Sequence, residues 1–174
     1  WGGLGDVYKG RDEALKRIVP HRLSQAGEAL LAFPAAKQMH HALRGGLLYH
    51  TTTMLRAARA LLPIYPFLNG DLLLSGVIVH DLAKISEMQA DTLGVVKDYT
   101  VEGKLLGHIV RGIINIEQAA LHTGADLEKA LLLQHMVLSH HETPEYVSPQ
   151  PPKFPAAEYL STLDTLYARL WEML

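Results

Sequence analysis

The chain has 174 residues, 48% of them hydrophobic and 20% charged, with a formal charge of -2; that is enough to close one core and too acidic for the global basic field that grips nucleic acid through phosphates alone. With no cysteine, disulfides, thiolate zinc sites and cysteine nucleophiles are excluded. No apolar run approaches the roughly 20 residues of a membrane span, so a cytoplasmic protein without a membrane partner is expected; opening on Trp1 rather than Met, the chain reads as a piece of something longer.

The pattern predicts helices along most of the chain. Residues 11–19 and 22–32 read as two short lead-in helices, punctuated by Pro20 and Pro34. Residues 46–62 carry apolar positions at helical spacing and stop before Pro63. Asn69-Gly70-Asp71 reads as a turn, with Asp71 as N-cap of the segment LLLSGVIVHDLAK. Residues 94–99, with Val95, Val96 and Tyr99, read as extended. Thr100 then caps a helix to about His122, Thr123-Gly124 ends it, and Asp126 opens another that closes near His141. Prolines 144, 149, 151, 152 and 155 make residues 143–155 irregular, and Pro155 suits the first position of a last helix reaching Leu174. The expected fold class is all-α, a helical bundle with a metal site between helices.

Chemistry enters where ionisable residues interrupt apolar stripes. Asp164 stands among Leu160, Leu163, Tyr167, Leu170 and Trp171, where an unpaired carboxylate would cost several kcal/mol. His50 follows Leu43 and Leu47 and precedes Met54 and Leu61, and His108 lies one turn beyond Leu105, beside Ile109. A lone histidine on such a face is more often a hydrogen-bonded core residue, and His21, His122 and His135 are assigned to that class. His40-His41 is open between a surface pair and a site beside the close-approach glycines of Arg44-Gly45-Gly46. Lys84, four residues after His80, is open between a phosphate contact and a helix-dipole cation. Arg56, Arg59, Lys104 and Arg111 are expected in solvent.

Two doublets add weight. His80-Asp81 closes the apolar run LLLSGVIV, and His140-His141 closes LLLQHMVLS. Adjacent helical residues diverge by about 100°, so both members serve one site only near a helix end or between two metals. Taken jointly, His50, His80, Asp81, His108, His140, His141 and Asp164 point to a metal-dependent hydrolase. Nitrogen and oxygen ligands with two carboxylates suit Mn²⁺ or Fe²⁺, and Zn²⁺ is accepted by imidazole.

His50, HDLAK at 80–84 and Asp164 together resemble the signature of the HD-domain phosphohydrolase superfamily, an all-helical fold, and His108 with His140-His141 matches its two-metal branch. The resemblance implies that His50, His80, Asp81 and Asp164 hold a first metal, that His108, His140 and His141 hold a second, and that Asp81 bridges them. The phrases FPAAKQMHHALRGGLLYHT, DLLLSGVIVHDLAKI, YTVEGKLLGHI and LLLQHMVLSHHETPEYVSP resemble the catalytic domain of the YhaM family of 3′-to-5′ exoribonucleases, from about Phe33 to Arg169. Residues 1–174 are accordingly expected to form a single HD domain, with 1–32 a helical lead-in and 33–169 the core. Glu142, Val147 and Tyr167 depart from the family pattern, which bears on substrate range. Family members also carry an N-terminal OB-fold, implying such a domain in a longer parent chain.

The expected function is phosphodiester hydrolysis of RNA from its 3′ end by a hydroxide activated between two divalent ions, with Asp81 catalytic and Lys84 an electrostatic helper. Small nucleotides or cyclic (di)nucleotides are the alternative substrates. A di-iron oxygenase and a non-catalytic, metal-stabilised binding module are the alternatives of other kinds.

Overall fold

The computed structural model describes residues 10–35, 44–91, 93–141 and 149–173. The first helix, α1 (Glu13–Ala26), starts where the Asp12 carboxylate accepts the backbone N–H groups of Ala14 and Leu15. It buries Leu15, Ile18 and Val19 completely. The expected break at Pro20 does not occur: Pro20 lies inside α1 on its exposed side, where water can hydrate the carbonyl that loses its N–H partner. What was expected as a second lead-in helix is the end of α1 plus one turn, α2 (Ala29–Ala32). Phe33, preceding Pro34, is extended, as the proline ring requires of its predecessor.

Helix α3 (Gly46–Leu61) runs into a 3-10 turn at Leu62–Ile64. Helix α4 (Gly70–Val79) is capped by Asn69, whose side chain accepts from Leu72 N at 3.0 Å, rather than by Asp71. The Asp71 carboxylate is engaged elsewhere, accepting the backbone N–H groups of Arg11 and Asp12 and tying the head of α1 to α4. Every residue of α4 from Leu72 to Val79 is buried, because α1, α3 and the two later helices at Leu127–Leu138 and Pro155–Glu172 surround it. α4 ends at Val79, and residues 80–83 turn into a short helix, α5 (Lys84–Glu87).

An antiparallel hairpin follows, β1 (Met88–Ala90) against β2 (Val96–Tyr99), with Met88 opposite Tyr99 and Gln89 opposite Asp98. The extended stretch expected at 94–99 therefore has a partner strand that periodicity alone did not disclose. Next, the single helix expected from Thr100 to His122 is two: α6 (Val101–Leu105), capped by Thr100, and α7 (Gly107–Thr123). The break falls at Gly107, φ 67°, a conformation that L side chains rarely adopt. Gly103 sits so close to α5 that an added Cβ would lie 2.1 Å from the Glu87 carbonyl oxygen. Helix α8 (Leu127–Leu138), capped by Asp126, and helix α9 (Pro155–Glu172) complete the bundle. The all-α class holds, with one small hairpin beside it. Among the described residues no helix is long and apolar enough to cross a membrane.

Candidate metal centre

Two helix ends supply the doublets. His80 directly follows the last residue of α4, and its Nδ1 lies 2.8 Å from the Val77 carbonyl oxygen. His140 follows α8 by one intervening residue, with Nδ1 2.7 Å from the Val137 carbonyl oxygen. The last carbonyls of a helix lack intrahelical donors, so each ring donates its Nδ1–H there and turns the Nε2 lone pair inward.

The remaining groups come from three other elements. His50, within α3 and 6% exposed, places Nε2 3.2 Å from His80 Nε2, 3.5 Å from Asp81 Oδ2 and 3.3 Å from Asp164 Oδ1 of α9. His108 opens α7; its Nδ1 and its backbone N–H both bond Glu87 Oε1, each at 3.1 Å. His108 Nε2 lies 3.5 Å and His140 Nε2 3.7 Å from the other Asp81 oxygen, Oδ1. His141 groups with His108 and His140, as His50 does with His80 and Asp81, within the reach of a single cation in each case. The structure thus draws the ligand atoms of His50, His80, Asp81 and Asp164 to one side and those of His108, His140 and His141 to the other, with the two Asp81 oxygens facing one set each.

These residues fit divalent cations. Asp81 Oδ1, His108 Nε2 and His140 Nε2 are buried and find no hydrogen-bonding partner among the described residues. One such orphan costs free energy, and three converging on one place are atoms that a cation would satisfy together. Nitrogen and oxygen ligands sit about 2.0–2.2 Å from a zinc-sized ion, which leaves neighbouring ligand atoms a little over 3 Å apart, like those seen here.

Burial works against the charge of Asp81, but Lys84, His80 and His108 outweigh it and hold the carboxyl well below its usual range. Asp164 is likewise held low against burial, by the His50 hydrogen bond and by His80. Burial, with His141 and His80 alongside, pushes His140 far below the ordinary imidazole value. Burial also lowers His141, so both rings are neutral, the form that binds metal. In Lys84, Asp81 and Asp164 overcome the burial penalty and keep the ammonium charged.

Between His80 and Lys84 the backbone tightens into i→i+3 bonds, Leu82 N to Val79 O and Lys84 N to Asp81 O, so that the α-helix does not run on from α4. Lys84 Nζ contacts Asp81 Oδ2 at 2.8 Å. Of the stripe around Asp164, Leu160 and Leu163 are buried while Leu170 is 55% exposed. Arg56 and Arg59 are exposed and Lys104 pairs with Asp98 at 2.6 Å, but Arg111 is half-buried and paired with Glu102 rather than solvated. His21 stacks on His122 at 4.7 Å and His135 Nε2 accepts from Lys153 N, but His122 is exposed and the other two are only partly buried, so these rings lie at the edge of the core rather than in it. His40-His41, Leu43, Glu142 and Val147 lie outside the described residues.

Glu87 went unread in the sequence, and Tyr167 was read there only as a stripe residue and a departure from the family pattern. Glu87, which orients His108, is a lone acid in the half-apolar stretch KISEM, and its partner lies 21 residues away. Tyr167 sets its ring edge-on to His50 with centroids 4.6 Å apart, and burial, then Tyr49, pushes its phenol up to about 12.

No family model matches the chain, and no solved structure matches it significantly. Among curated proteins it is 42% identical over 164 residues to the 3′-5′ exoribonuclease YhaM of a Geobacillus species, covering 94% of this chain and 50% of that protein. The proteins of the same name from Bacillus pumilus and Halalkalibacterium halodurans are 40% and 38% identical over the same share of this chain. The chain spans about half the length of the curated relatives it matches, and over nearly all of its own length it is similar to proteins named as 3′-5′ exoribonucleases.

Proposed function

We propose that this chain is the hydrolytic unit of a metal-dependent 3′-to-5′ exoribonuclease of the HD-domain type. The observation that carries the reading is the divided Asp81 carboxylate, with unsatisfied histidine nitrogens facing its Oδ1. The similarity to exoribonucleases supports the choice of substrate.

In this reading His50, His80, Asp81 and Asp164 hold one cation, and His108, His140 and His141, with Asp81 shared, hold a second. Two divalent ions, Mn²⁺ or Fe²⁺ by preference and Zn²⁺ as the alternative, supply Lewis acidity, an acidified water and positive charge for a phosphodiester. Asp81 and Asp164, held ionised, offset part of that charge and leave a net positive site. Lys84 uses one of its three N–H donors on Asp81, and the others are available to a phosphate oxygen. No serine or cysteine nucleophile is needed. Residues 1–174 act as one HD unit, with 1–32 as lead-in and 33–169 as core. The unmatched half of the relatives leaves room for a nucleic-acid-binding domain of the OB type in a longer, cytoplasmic parent.

Asp81→Asn, which keeps shape and removes charge, should abolish both metal loading and hydrolysis; elemental analysis and 5′-labelled RNA shortened nucleotide by nucleotide from its 3′ end are the readouts. A variant with full metal content and full activity would sink the assignment. Turnover of mononucleotides or cyclic dinucleotides alone would transfer the site to small nucleotides.

A further inference from the structure

A file of aromatic rings leads from the metal centre to the surface between α3 and α9. Tyr167 meets His50 edge-on at 4.6 Å. One turn further along α9, Trp171 lies 6.2 Å from Tyr167 and bonds the Tyr167 hydroxyl through its indole N–H. Tyr49 of α3 meets Trp171 edge-on at 6.4 Å. Tyr49 is 49% exposed and Trp171 is only half-buried, so core packing does not account for rings of this size here. Arg56, seven residues beyond Tyr49 and therefore on the same side of α3, is exposed.

Flat π-faces beside an exposed cation suit a single-stranded nucleic acid, whose bases stack on aromatic rings and whose phosphates meet arginine. An apolar protein segment would gain less, because the outer ring carries a hydroxyl and the flank is cationic. Resting on the RNA-hydrolase reading above, we propose that Tyr49 and Trp171, braced by Tyr167, form a nucleobase-stacking subsite that holds the base adjoining the phosphodiester at the metal centre. Stacking is indifferent to base identity, so the subsite admits any sequence while requiring a base.

Two tryptophans occur in the chain, and a Trp1→Phe background, excited beyond the absorption band of tyrosine, leaves Trp171 as the emitter that is read. A phosphorothioate RNA pentamer, which resists hydrolysis, is titrated with Mn²⁺ present, beside the same backbone lacking bases. The expected result is quenching of Trp171 by the base-bearing oligonucleotide only, and affinity weakened on the order of tenfold by Tyr49→Ala. In a background with Trp1 retained, Trp171→Ala weakens binding measured by fluorescence anisotropy of the labelled pentamer, and Trp171→Phe restores it. Equal binding of the abasic backbone, or unchanged affinity in Tyr49→Ala and Trp171→Ala, overturns the subsite even where RNA is cleaved. Base-dependent quenching without cleavage under any metal upholds the subsite and removes the hydrolase reading instead.

Discussion

Glu87 gives a single carboxylate oxygen to both the ring and the backbone N–H of His108, which fixes where the His108 Nε2 lone pair points. Carboxylates behind metal-binding imidazoles typically account for 10–100-fold in metal affinity. Glu87→Ala should therefore weaken Mn²⁺ binding by about that factor in isothermal titration, and Glu87→Gln by less, since its amide oxygen still accepts. At this scale the doublets His80-Asp81 and His140-His141 were legible because nothing in apolar packing calls for two titratable groups at a helix end. Glu87 was not legible, because its contact with His108 exists only once the chain breaks at Gly107 and brings residues 21 apart together. Lys84 was legible as a cation near the doublet but not in its partner, Asp81, which depends on the helix ending one residue before His80.

The elements rest on caps that local chemistry fixes. Asp12 caps α1 and reaches across to Lys129 at 3.0 Å; burial works against its charge, but the backbone N–H of Leu15 together with Lys129 outweighs it and lowers its pKa. A lowered folded value contributes stability above the unfolded carboxylate value of about 3.9, and that stability is lost as pH falls through the folded value. Asp12→Ala should cost about 1 kcal/mol near neutrality, and chemical denaturation of parent and variant should draw together as pH falls through the lowered folded value. Pro20 shows where local rules mislead: proline ends a helix when the lost hydrogen bond is buried, and here it faces water. Asn69 and Asp71 are both good caps, and the choice between them was made by the tertiary contact of Asp71 with the head of α1.

Across the whole molecule, α4 is buried on every side and delivers His80 and Asp81 into the middle of the bundle, while α3, α7, α8 and α9 bring the other donors to the same place. A donor set spread over so many elements forms only in the folded state, so a cation held as proposed would bind the native chain and not the unfolded one. Metal at a hundred times its dissociation constant contributes about 2.7 kcal/mol, and thermal denaturation of the chelated and Mn²⁺-loaded protein should differ by roughly 5 to 10 °C. An unchanged melting temperature would show that the donors do not converge on a common ion. Helix periodicity made the bundle legible, but not the order in which helices surround α4, which depends on packing that no local window contains.

At Nδ1 the rings of His80 and His140 are steered by main-chain oxygens, Val77 O and Val137 O. Which nitrogen stays available to a cation is thereby written into the way two helices stop. Residues 77 and 137 are free to drift in evolution among apolar types without altering that donor chemistry, whereas an insertion of even one residue before either doublet would rotate the imidazole out of register and silence it.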